Sequence, residues 1–225
     1  MSEKRDLFIV GAGGLGREVL IWTSAIPPEK RSWEVRGFLN SIPTALDGYD
    51  VALPILCDPL DFTYSGDEFV LCAIGDPCGK LRLCRTLLRR GARFASMHHP
   101  SAIVSRSAVL GPGCIAATCV IIGPGARIGA FSVVLGSTAI GVNAVIGEGT
   151  TVSAFSYVGD GAALGEGVFL GSHAIVMPGT IVGDGARIGA RTVVSGTVPA
   201  GATFFGIPGE MLVDSASTLP AYGRP

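Results

Sequence analysis

Apolar residues recur at every sixth position across residues 102–201. Neither a helix, with its period of about 3.6 residues, nor a simply alternating strand has this spacing. The residue after the apolar position is usually glycine, and the residue two places before it is usually small. We expect the third residue of each hexad to point inward in an unbroken register: Val104, Leu110, Ala116, Ile122, Ile128, Val134, Ile140, Ile146, Val152, Val158, Leu164, Leu170, Val176, Val182, Ile188, Val194 and Ala200.

These hexads predict a solenoid. Six residues suit a short strand followed by a tight turn, and glycine supplies the backbone freedom that the turn needs. Three such segments would close one coil, so that residues three hexads apart stack at about 4.8 Å in a parallel ladder. The pattern resembles the hexapeptide-repeat, left-handed β-helix superfamily, most of whose enzymes are acyltransferases. We predict an all-β left-handed parallel β-helix over residues 98–210 and a C-terminal tail over residues 211–225. A purely structural solenoid is the alternative.

Residues 1–97 alternate between strand and helix patterns instead. Buried strands are predicted at residues 6–10, 33–39, about 51–56, 69–74 and 94–97. Helices are predicted at residues 17 to about 25 and 80–90. Their apolar sides would carry Val19, Leu20 and Trp22 in the first helix, and Leu81, Leu83, Leu87 and Leu88 in the second. This alternation predicts a small parallel sheet, a half-Rossmann α/β domain.

A glycine run lies between the first strand and the first helix. Gly11, Gly13 and Gly16 match the dinucleotide fingerprint GxGxxG, and Gly14 lies within it. Two features argue against NAD: the second strand ends at Asn40 rather than at an acidic residue, and the domain closes before a second mononucleotide half. Such a loop still brings backbone N–H groups and a helix N-terminus up to a phosphate. A tight turn without a ligand is the alternative.

A small glycine-loop domain followed by a left-handed β-helix resembles the sialic-acid O-acetyltransferase-like family. That family includes the bacterial nucleotide-aminosugar N-acetyltransferases, which serve surface glycan synthesis. The resemblance is carried by residues 11–16, 38–41, 73–76 and 99–102. It implies that the first domain binds the nucleotide of a UDP-, dTDP- or GDP-linked amino sugar, and that the β-helix of a homotrimer binds acetyl-CoA. The implied substrate-binding residues are Gly11, Gly13, Gly14, Gly16, Asn40, Ser41, Gly75 and Asp76, although family members often carry two aspartates where this chain has Asn40 and Ser41.

The main departure from the family concerns the general base. In the family, the sugar amine attacks the thioester in a cleft between neighbouring β-helices, and a histidine followed by an acidic residue usually takes the proton. Register places that pair on Val142 and Asn143, and valine cannot accept a proton. A further family histidine falls on Thr151.

Three catalytic arrangements remain open. His173 from a neighbouring subunit serves as the base, or Asp160, one coil above Val142, orients a water or the amine. Alternatively, a neutral amine needs positioning alone, which is the arrangement we favour. A turn histidine without a catalytic role is the alternative for His173. The missing base also argues against an O-acetyltransferase, because a hydroxyl is a poor nucleophile until its proton is removed.

Contacts to CoA in the family are mainly made by backbone groups along the coil edges. Transferred by register, they fall near Asp160, Gly171, Ser172 and Ala190. Arg191 is a nearby cation that could meet a CoA phosphate or could simply be a solvated turn residue.

Composition limits the partners and the cellular compartment that we expect. The chain is 48% hydrophobic and 16% charged, with a net charge of −1, so neither nucleic acid nor an anionic membrane is an expected partner. The six cysteines show no CxxC pair and no zinc spacing, so we expect no metal and read them as small buried thiols in a reduced cytosol. The sequence shows no signal peptide or membrane span, which predicts a cytoplasmic protein.

Together these features predict an N-acetyltransferase that moves acetyl from acetyl-CoA to a nucleotide-linked amino sugar. One alternative is a catalytically inactive solenoid that binds a nucleotide sugar or CoA. Another is an acetyltransferase for a different acceptor, such as a sialic acid hydroxyl or a small amine.

Overall fold

A computed structural model describes residues 4–206 and 210–213 of the chain. Residues 211–213 of the predicted C-terminal tail continue a strand, and residues 214–225 of that tail lie outside the described residues. No described helix is long and apolar enough to cross a lipid bilayer.

The N-terminal part contains a parallel sheet with one α-helix between its strands and a second after the last strand. Its elements are β1 (Arg5–Val10), α1 (Gly14–Ser24), a 3₁₀ turn (Pro28–Lys30), β2 (Trp33–Leu39), β3 (Ile55–Cys57), β4 (Phe69–Cys72) and α2 (Pro77–Arg89). The described strands pair in the order β3-β2-β1-β4. Both helices begin three residues earlier than predicted. Within the predicted strand at 94–97, Phe94 makes a single bridge to Val70, and Met97 begins the solenoid.

Helix α2 buries a different stripe from the one we expected. Lys80, Leu81, Cys84 and Leu87 are its buried long side chains, and Leu83 is half-buried. The placement of Leu88 on the apolar side is wrong, because that side chain is 53% exposed. Positions 80, 84 and 87 follow the 3.6-residue period and form the stripe that faces the protein.

The solenoid consists of short strands separated by turns. The described strands are, in chain order, β5 (Met97–His98), β6 (Ile103–Val104), β7 (Val109–Leu110), β8 (Ile115–Ala116), β9 (Ile121–Ile122), β10 (Arg127–Ile128), β11 (Val133–Val134), β12 (Ala139–Ile140), β13 (Val145–Ile146), β14 (Thr151–Val152), β15 (Tyr157–Val158), β16 (Ala163–Leu164), β17 (Phe169–Leu170), β18 (Ile175–Val176), β19 (Ile181–Val182), β20 (Arg187–Ile188), β21 (Val193–Val194), β22 (Thr197–Val198), β23 (Thr203–Phe205) and β24 (Glu210–Val213).

The strands stack into three parallel sheets, the faces of a triangular prism. Face A contains β5-β8-β11-β14-β17-β20-β23 with β24 antiparallel at its end, face B contains β6-β9-β12-β15-β18-β21, and face C contains β7-β10-β13-β16-β19-β22. The predicted inward residues from Ala116 to Val194 are buried and form one continuous core, whereas Val104 and Leu110 in the first coil are half-buried. The predicted fold class, a half-Rossmann domain followed by a left-handed β-helix, is therefore confirmed.

The register slips once, near the end of the solenoid. After Val194 the next strand begins at Thr197, and its pairing with Ile181 shows that this coil is two residues shorter than the others. Val198 therefore takes the inward position, 1% exposed, and the expectation that Ala200 points inward is wrong because Ala200 lies in an exposed turn.

The cysteines are free thiols, but only half of them are buried. Cys72, Cys84 and Cys114 are buried as predicted, whereas Cys78 and Cys119 are exposed and Cys57 is intermediate. Among the residues described, no group of three or more His, Cys, Asp or Glu side chains is arranged to hold a metal ion.

The N-terminal domain packs against face A. One core cluster joins its sheet and α1 to Ile115 and Val133 on that face, and Phe94 packs edge-on against Phe131 with ring centroids 4.7 Å apart. Helix α2 adds polar links. Arg85 donates hydrogen bonds to Glu148 and Glu166, at the corner between faces C and A. The two domains thus share a buried interface.

Candidate functional site

The glycine loop lies at the carboxyl end of β1, where parallel sheets bind ligands. Gly11 has φ +98°, and a Cβ there would lie 3.0 Å from the carbonyl oxygen of Ala73. At Gly16 a Cβ would overlap the carbonyl oxygen of Gly11, so α1 packs directly on the turn that precedes it. These two glycines are required by packing.

The other two glycines of the loop face open space. A Cβ at Gly13 or at Gly14 would meet no atom within 4 Å, and both residues are exposed. Their backbone is therefore accessible at the N-terminus of α1, which carries a partial positive charge. This is the geometry that a phosphate needs.

Asn40 holds the loop from the neighbouring strand. Its Oδ1 accepts a hydrogen bond of 3.2 Å from the backbone N–H of Ala12, and its Nδ2 donates one of 2.9 Å to the carbonyl of Ile42. Both ends of the amide are thus engaged within the protein. Ser41 is exposed beside it. A substrate-binding role for these residues stays a prediction.

Gly75 and Asp76 follow β4 at the same edge of the sheet. Asp76 caps α2, since its Oδ2 accepts a 2.7 Å hydrogen bond from the N–H of Gly79. Its Oδ1 also lies 3.7 Å from the Arg187 guanidinium on face A. The carboxylate is therefore engaged with groups of both domains.

A cationic side chain next to the loop was missed in the sequence. The Arg17 guanidinium lies 3.4 Å from the centre of the Tyr49 ring, a cation–π contact. Both residues line a groove of about 600 Å³ that also includes Gly14. The contact joins residues 32 positions apart (49 − 17), so no local pattern indicates it.

Five turn residues form a ridge between faces A and B, which we call the A–B ridge: Cys119, Ser137, Phe155, His173 and Arg191. Each has a positive φ between 54° and 62°. The left-handed conformation costs about 1 kcal/mol or more for a residue with a Cβ, and glycine usually takes it at the other two corners of this solenoid. The ridge thus carries side chains where glycine would be the less strained choice.

His173 and Phe155 stack on this ridge. Their ring centroids are 5.0 Å apart with planes inclined by 18°, and both side chains are exposed. The backbone N–H of His173 donates to the carbonyl of Ala154. The imidazole therefore has an aromatic neighbour one coil below it, as the register predicts, and Arg191 one coil above.

Beside His173 the ridge presents backbone donors. Within the part of the chain that the structure describes, no acceptor pairs with the N–H of Ser172 or Ala190, and both residues are exposed. Gly171 is buried, and its N–H donates to Ile188. The two unpaired N–H groups lie one coil apart, about 4.8 Å.

Val142, Asn143 and Asp160 lie at a different corner, between faces B and C. Asp160 Oδ1 accepts a 2.8 Å hydrogen bond from the N–H of Val142, so the predicted stacking of these two residues is present. Asp184 binds the N–H of Glu166 with the same geometry, at the corner between faces C and A. The repetition indicates that both aspartates have a structural role, in which the carboxylate pairs with an N–H group of the turn one coil below.

One chain therefore does not bring its candidate catalytic residues together. His173 lies on the A–B ridge and Asp160 at the opposite edge of face B. A site containing both corners can form only between two chains.

Lys80 is a buried cation that the sequence reading missed. It is 0% exposed, and its Nζ donates to the Thr150 carbonyl at 3.2 Å and to Thr151 Oγ1 at 2.8 Å. Burial lowers the pKa of its ammonium to about 8. Thr151, the position of a family histidine, thus serves the domain interface. In the sequence, the position of Lys80 in one helical stripe with Cys84 and Leu87 was the signal that its side chain is buried.

Comparison with known families identifies two blocks of repeats in the solenoid. The bacterial transferase hexapeptide family (six repeats) matches residues 161–196, and the hexapeptide repeat of succinyl-transferase matches residues 119–154. No curated protein compared with the chain matches it. The two matches cover 36 residues each, and both lie within the solenoid.

Solved structures extend the similarity to both domains. The acetyltransferase domain of PglB from Neisseria gonorrhoeae FA1090 has a TM-score of 0.82 at 21% identity, over 93% of this chain and 100% of that one. WeeI from Acinetobacter baumannii AYE gives 0.79 at 20%, with the same coverage. PerB from Caulobacter crescentus, in complex with CoA and GDP-perosamine, gives 0.64 at 25% identity, over 92% and 96% of the two chains. These proteins and the present chain share one fold.

Proposed function

We propose that this protein is an N-acetyltransferase that moves acetyl from acetyl-CoA to the amine of a nucleotide-linked amino sugar. The observation that carries the proposal is an open glycine loop and a hexapeptide solenoid in one chain, similar over 92% of that chain to PerB, which is bound to CoA and GDP-perosamine. The sugar would be a UDP-, dTDP- or GDP-linked 4-amino sugar for bacterial surface glycan synthesis.

The nucleotide diphosphate fits the open side of the glycine loop. Gly13 and Gly14 leave room for an anion at the N-terminus of α1, and Arg17 supplies a cation on the first turn. Asn40 supports this site by fixing Ala12, and Asp76 fixes the start of α2. We assign Ser41 and Gly75 to the rim of the same site.

Acetyl-CoA fits the A–B ridge. The pantetheine arm of CoA contains amide carbonyls, and the N–H groups of Ser172 and Ala190, which pair with no acceptor among the described residues, are donors for such carbonyls. Arg191 lies next to Ala190 and carries a charge that suits a phosphate. The bound group supplies the thioester carbonyl that the amine attacks.

Positioning of the amine against the thioester accounts for most of the proposed catalysis. Val142 has no proton-accepting group, and Asp160 Oδ1 is engaged with the Val142 N–H. A neutral amine held against the thioester needs no base to attack, and backbone N–H groups can stabilise the oxyanion. His173 contributes weakly, as a group near the cleft that is stacked on Phe155.

We further propose a homotrimer. The outward residues of face B form an exposed apolar stripe, with Ile103 66% exposed and Ile121 48% exposed, continued by Tyr157 and Ile175. A stripe of this kind on a flat sheet face favours burial against another subunit. Packing between chains would also bring the corner of Val142 close to a neighbouring ridge. A sedimentation mass of one chain at micromolar concentration would contradict this proposal.

We place the protein in the cytoplasm, with free thiols at all six cysteines as support.

A thiol-release assay tests the activity. Acetyl-CoA is incubated with the protein and a panel of UDP-, dTDP- and GDP-linked 4-amino sugars, and free CoA thiol is measured. We expect release with at least one amino sugar, and none with the corresponding free nucleoside diphosphate. CoA binding without release for any acceptor would instead support a catalytically inactive binding protein, the alternative favoured by the missing base at Val142.

A further inference from the structure

A groove of about 290 Å³ runs between helix α1 and the lower half of the A–B ridge. The residues that matter here are Glu18 and Trp22 on the helix, and Gly136, Ala154 and Phe155 on the solenoid. The groove lies within one chain, and Trp22 on one wall and Leu135 on the other pack in the apolar cluster that the two domains share.

We propose that this groove binds the sugar ring of the acceptor, with Phe155 as its aromatic platform and Glu18 as the group that recognises the sugar amine. This inference rests on the proposed function and deepens it, because it assigns a separate subsite to the sugar.

The size of the groove selects a single ring. Sites for drug-sized ligands enclose about 300–1,000 Å³, so this groove is too small for a whole nucleotide sugar. The nucleotide would remain at the glycine loop, where Gly14 begins the helix that carries Glu18. Four helical residues span about 6 Å, so the sugar and the diphosphate would occupy neighbouring positions along α1.

Phe155 is arranged as a fixed surface. Its side chain is 58% exposed, its ring stacks on His173, and its backbone is held at φ 61°. An exposed phenylalanine leaves apolar surface in contact with water, which is unfavourable, and this one also occupies a strained turn. A pre-positioned aromatic face would bury the C–H face of a sugar at little further cost in entropy.

The polar groups around this face suit the rest of an amino sugar. Among the described residues, no acceptor pairs with the backbone N–H of Gly136 or Ala154, and both residues are half-buried. They can donate to sugar hydroxyls. Glu18 is the only charged residue that lines the groove in the described part of the chain, and its carboxylate can accept a hydrogen bond from the N–H of the neutral amine that attacks the thioester.

The groove also adjoins the proposed acyl site. Phe155 and His173 occupy consecutive coils, and Ser172, whose N–H pairs with no described acceptor, precedes His173. The Ala154 N–H that would bind a sugar hydroxyl and the Ser172 N–H that would bind the acyl chain lie one coil apart, about 4.8 Å. Binding in the groove would thus bring the amine to the thioester.

Phe155→Ala and Glu18→Gln test the subsite, with Phe155→Tyr as the conservative variant and Leu88→Ala as an exposed apolar control on α2. For the active amino sugar of the panel, we expect the KM of Phe155→Ala to rise about tenfold or more. The KM for acetyl-CoA and the Kd for the free nucleoside diphosphate should change less than about twofold. Phe155→Tyr and Leu88→Ala should resemble the wild type. Glu18→Gln should reduce the preference for the amino sugar over the corresponding hydroxy sugar.

The proposal is overturned if Phe155→Ala keeps the wild-type KM for the amino sugar. It is also overturned if the substitution weakens binding of the free nucleoside diphosphate as much as binding of the nucleotide sugar. A melting curve shows whether the loss of both affinities comes from unfolding of the variant. If the wild type releases no thiol with any acceptor, the proposed function fails. Titration of the intact amino-sugar nucleotides then still tests the groove, because Phe155→Ala must lose affinity for one of them and keep its affinity for the diphosphate. A protein that binds none of them overturns both proposals.

Discussion

Lys80 gives a prediction that follows directly from its position. The side chain is fully buried between α2 and face A, and desolvation lowers its pKa to about 8, against about 10.4 for a lysine in an unfolded chain. Between these two values the unfolded state binds more protons than the folded state, so the free energy of unfolding rises with pH. Replacing Lys80 by Met, which is similar in length and carries no charge, removes this effect.

The magnitude follows from the shift. A difference of about 2.4 pKa units at about 1.4 kcal/mol per unit gives about 3 kcal/mol, gained by the wild type over Lys80→Met from about pH 8 to about pH 10.5. Below pH 8 the difference between the two proteins should stay constant. Cys72, Cys84 and Cys114 lie near the ammonium, and burial raises the pKa of Cys114 to about 11. Both proteins contain these thiols, so their effect largely cancels in the difference.

Urea unfolding of both proteins across this pH range measures the difference. Lys30→Met, which removes an exposed lysine from the 3₁₀ turn, serves as the matched control. Stability curves for the wild type and Lys80→Met that stay parallel from pH 7 to about pH 10.5 would show that the ammonium is not desolvated in the folded protein. The assignment of Lys80 to a dry domain interface would then be wrong.

Three further outcomes are expected. Gly16→Ala should lower the free energy of unfolding by about 2 kcal/mol or more, since its Cβ would overlap the Gly11 carbonyl. Gly13→Ala, its matched control, should melt like the wild type but bind nucleotide sugars more weakly. Equal melting temperatures for the two variants would refute the packing argument. Arg85→Leu should lower the urea midpoint slightly at low salt and hardly at all in about 1 M NaCl, because its carboxylate pairs are half-exposed. His173→Asn should reduce turnover by less than about tenfold, with an unchanged pH profile; a loss of several hundredfold at constant CoA affinity would identify His173 as the base.

The solenoid could be predicted in detail because each turn of it is encoded by residues that are close together in the sequence. Each hexad places one apolar residue inside, and the prediction held from Ala116 to Val194. It failed at Ala200 because Val198 is also apolar, and a coil shortened by two residues preserves the inward pattern with a different residue. Periodicity cannot distinguish these two registers when both offer a small apolar side chain.

The site was harder to predict because its contacts join distant segments. Asn40 reaches Ala12 across 28 residues, and Lys80 reaches Thr151 across 71. A lysine in an apolar helical stripe was the only local sign of the second contact. Which corner of the solenoid carries side chains in place of glycine is visible in the sequence, but their role depends on what packs beside them.

The most direct test of the account is identification of the product by mass spectrometry and NMR. The protein is incubated with acetyl-CoA and either a nucleotide-linked 4-amino sugar or its 4-hydroxy counterpart. We expect one acetyl group on the nitrogen of the amino sugar, one CoA thiol released per product, and no acetylation of the hydroxy sugar, because the chain has no base at Val142. Acetylation of the hydroxy sugar at a comparable rate would contradict the central claim.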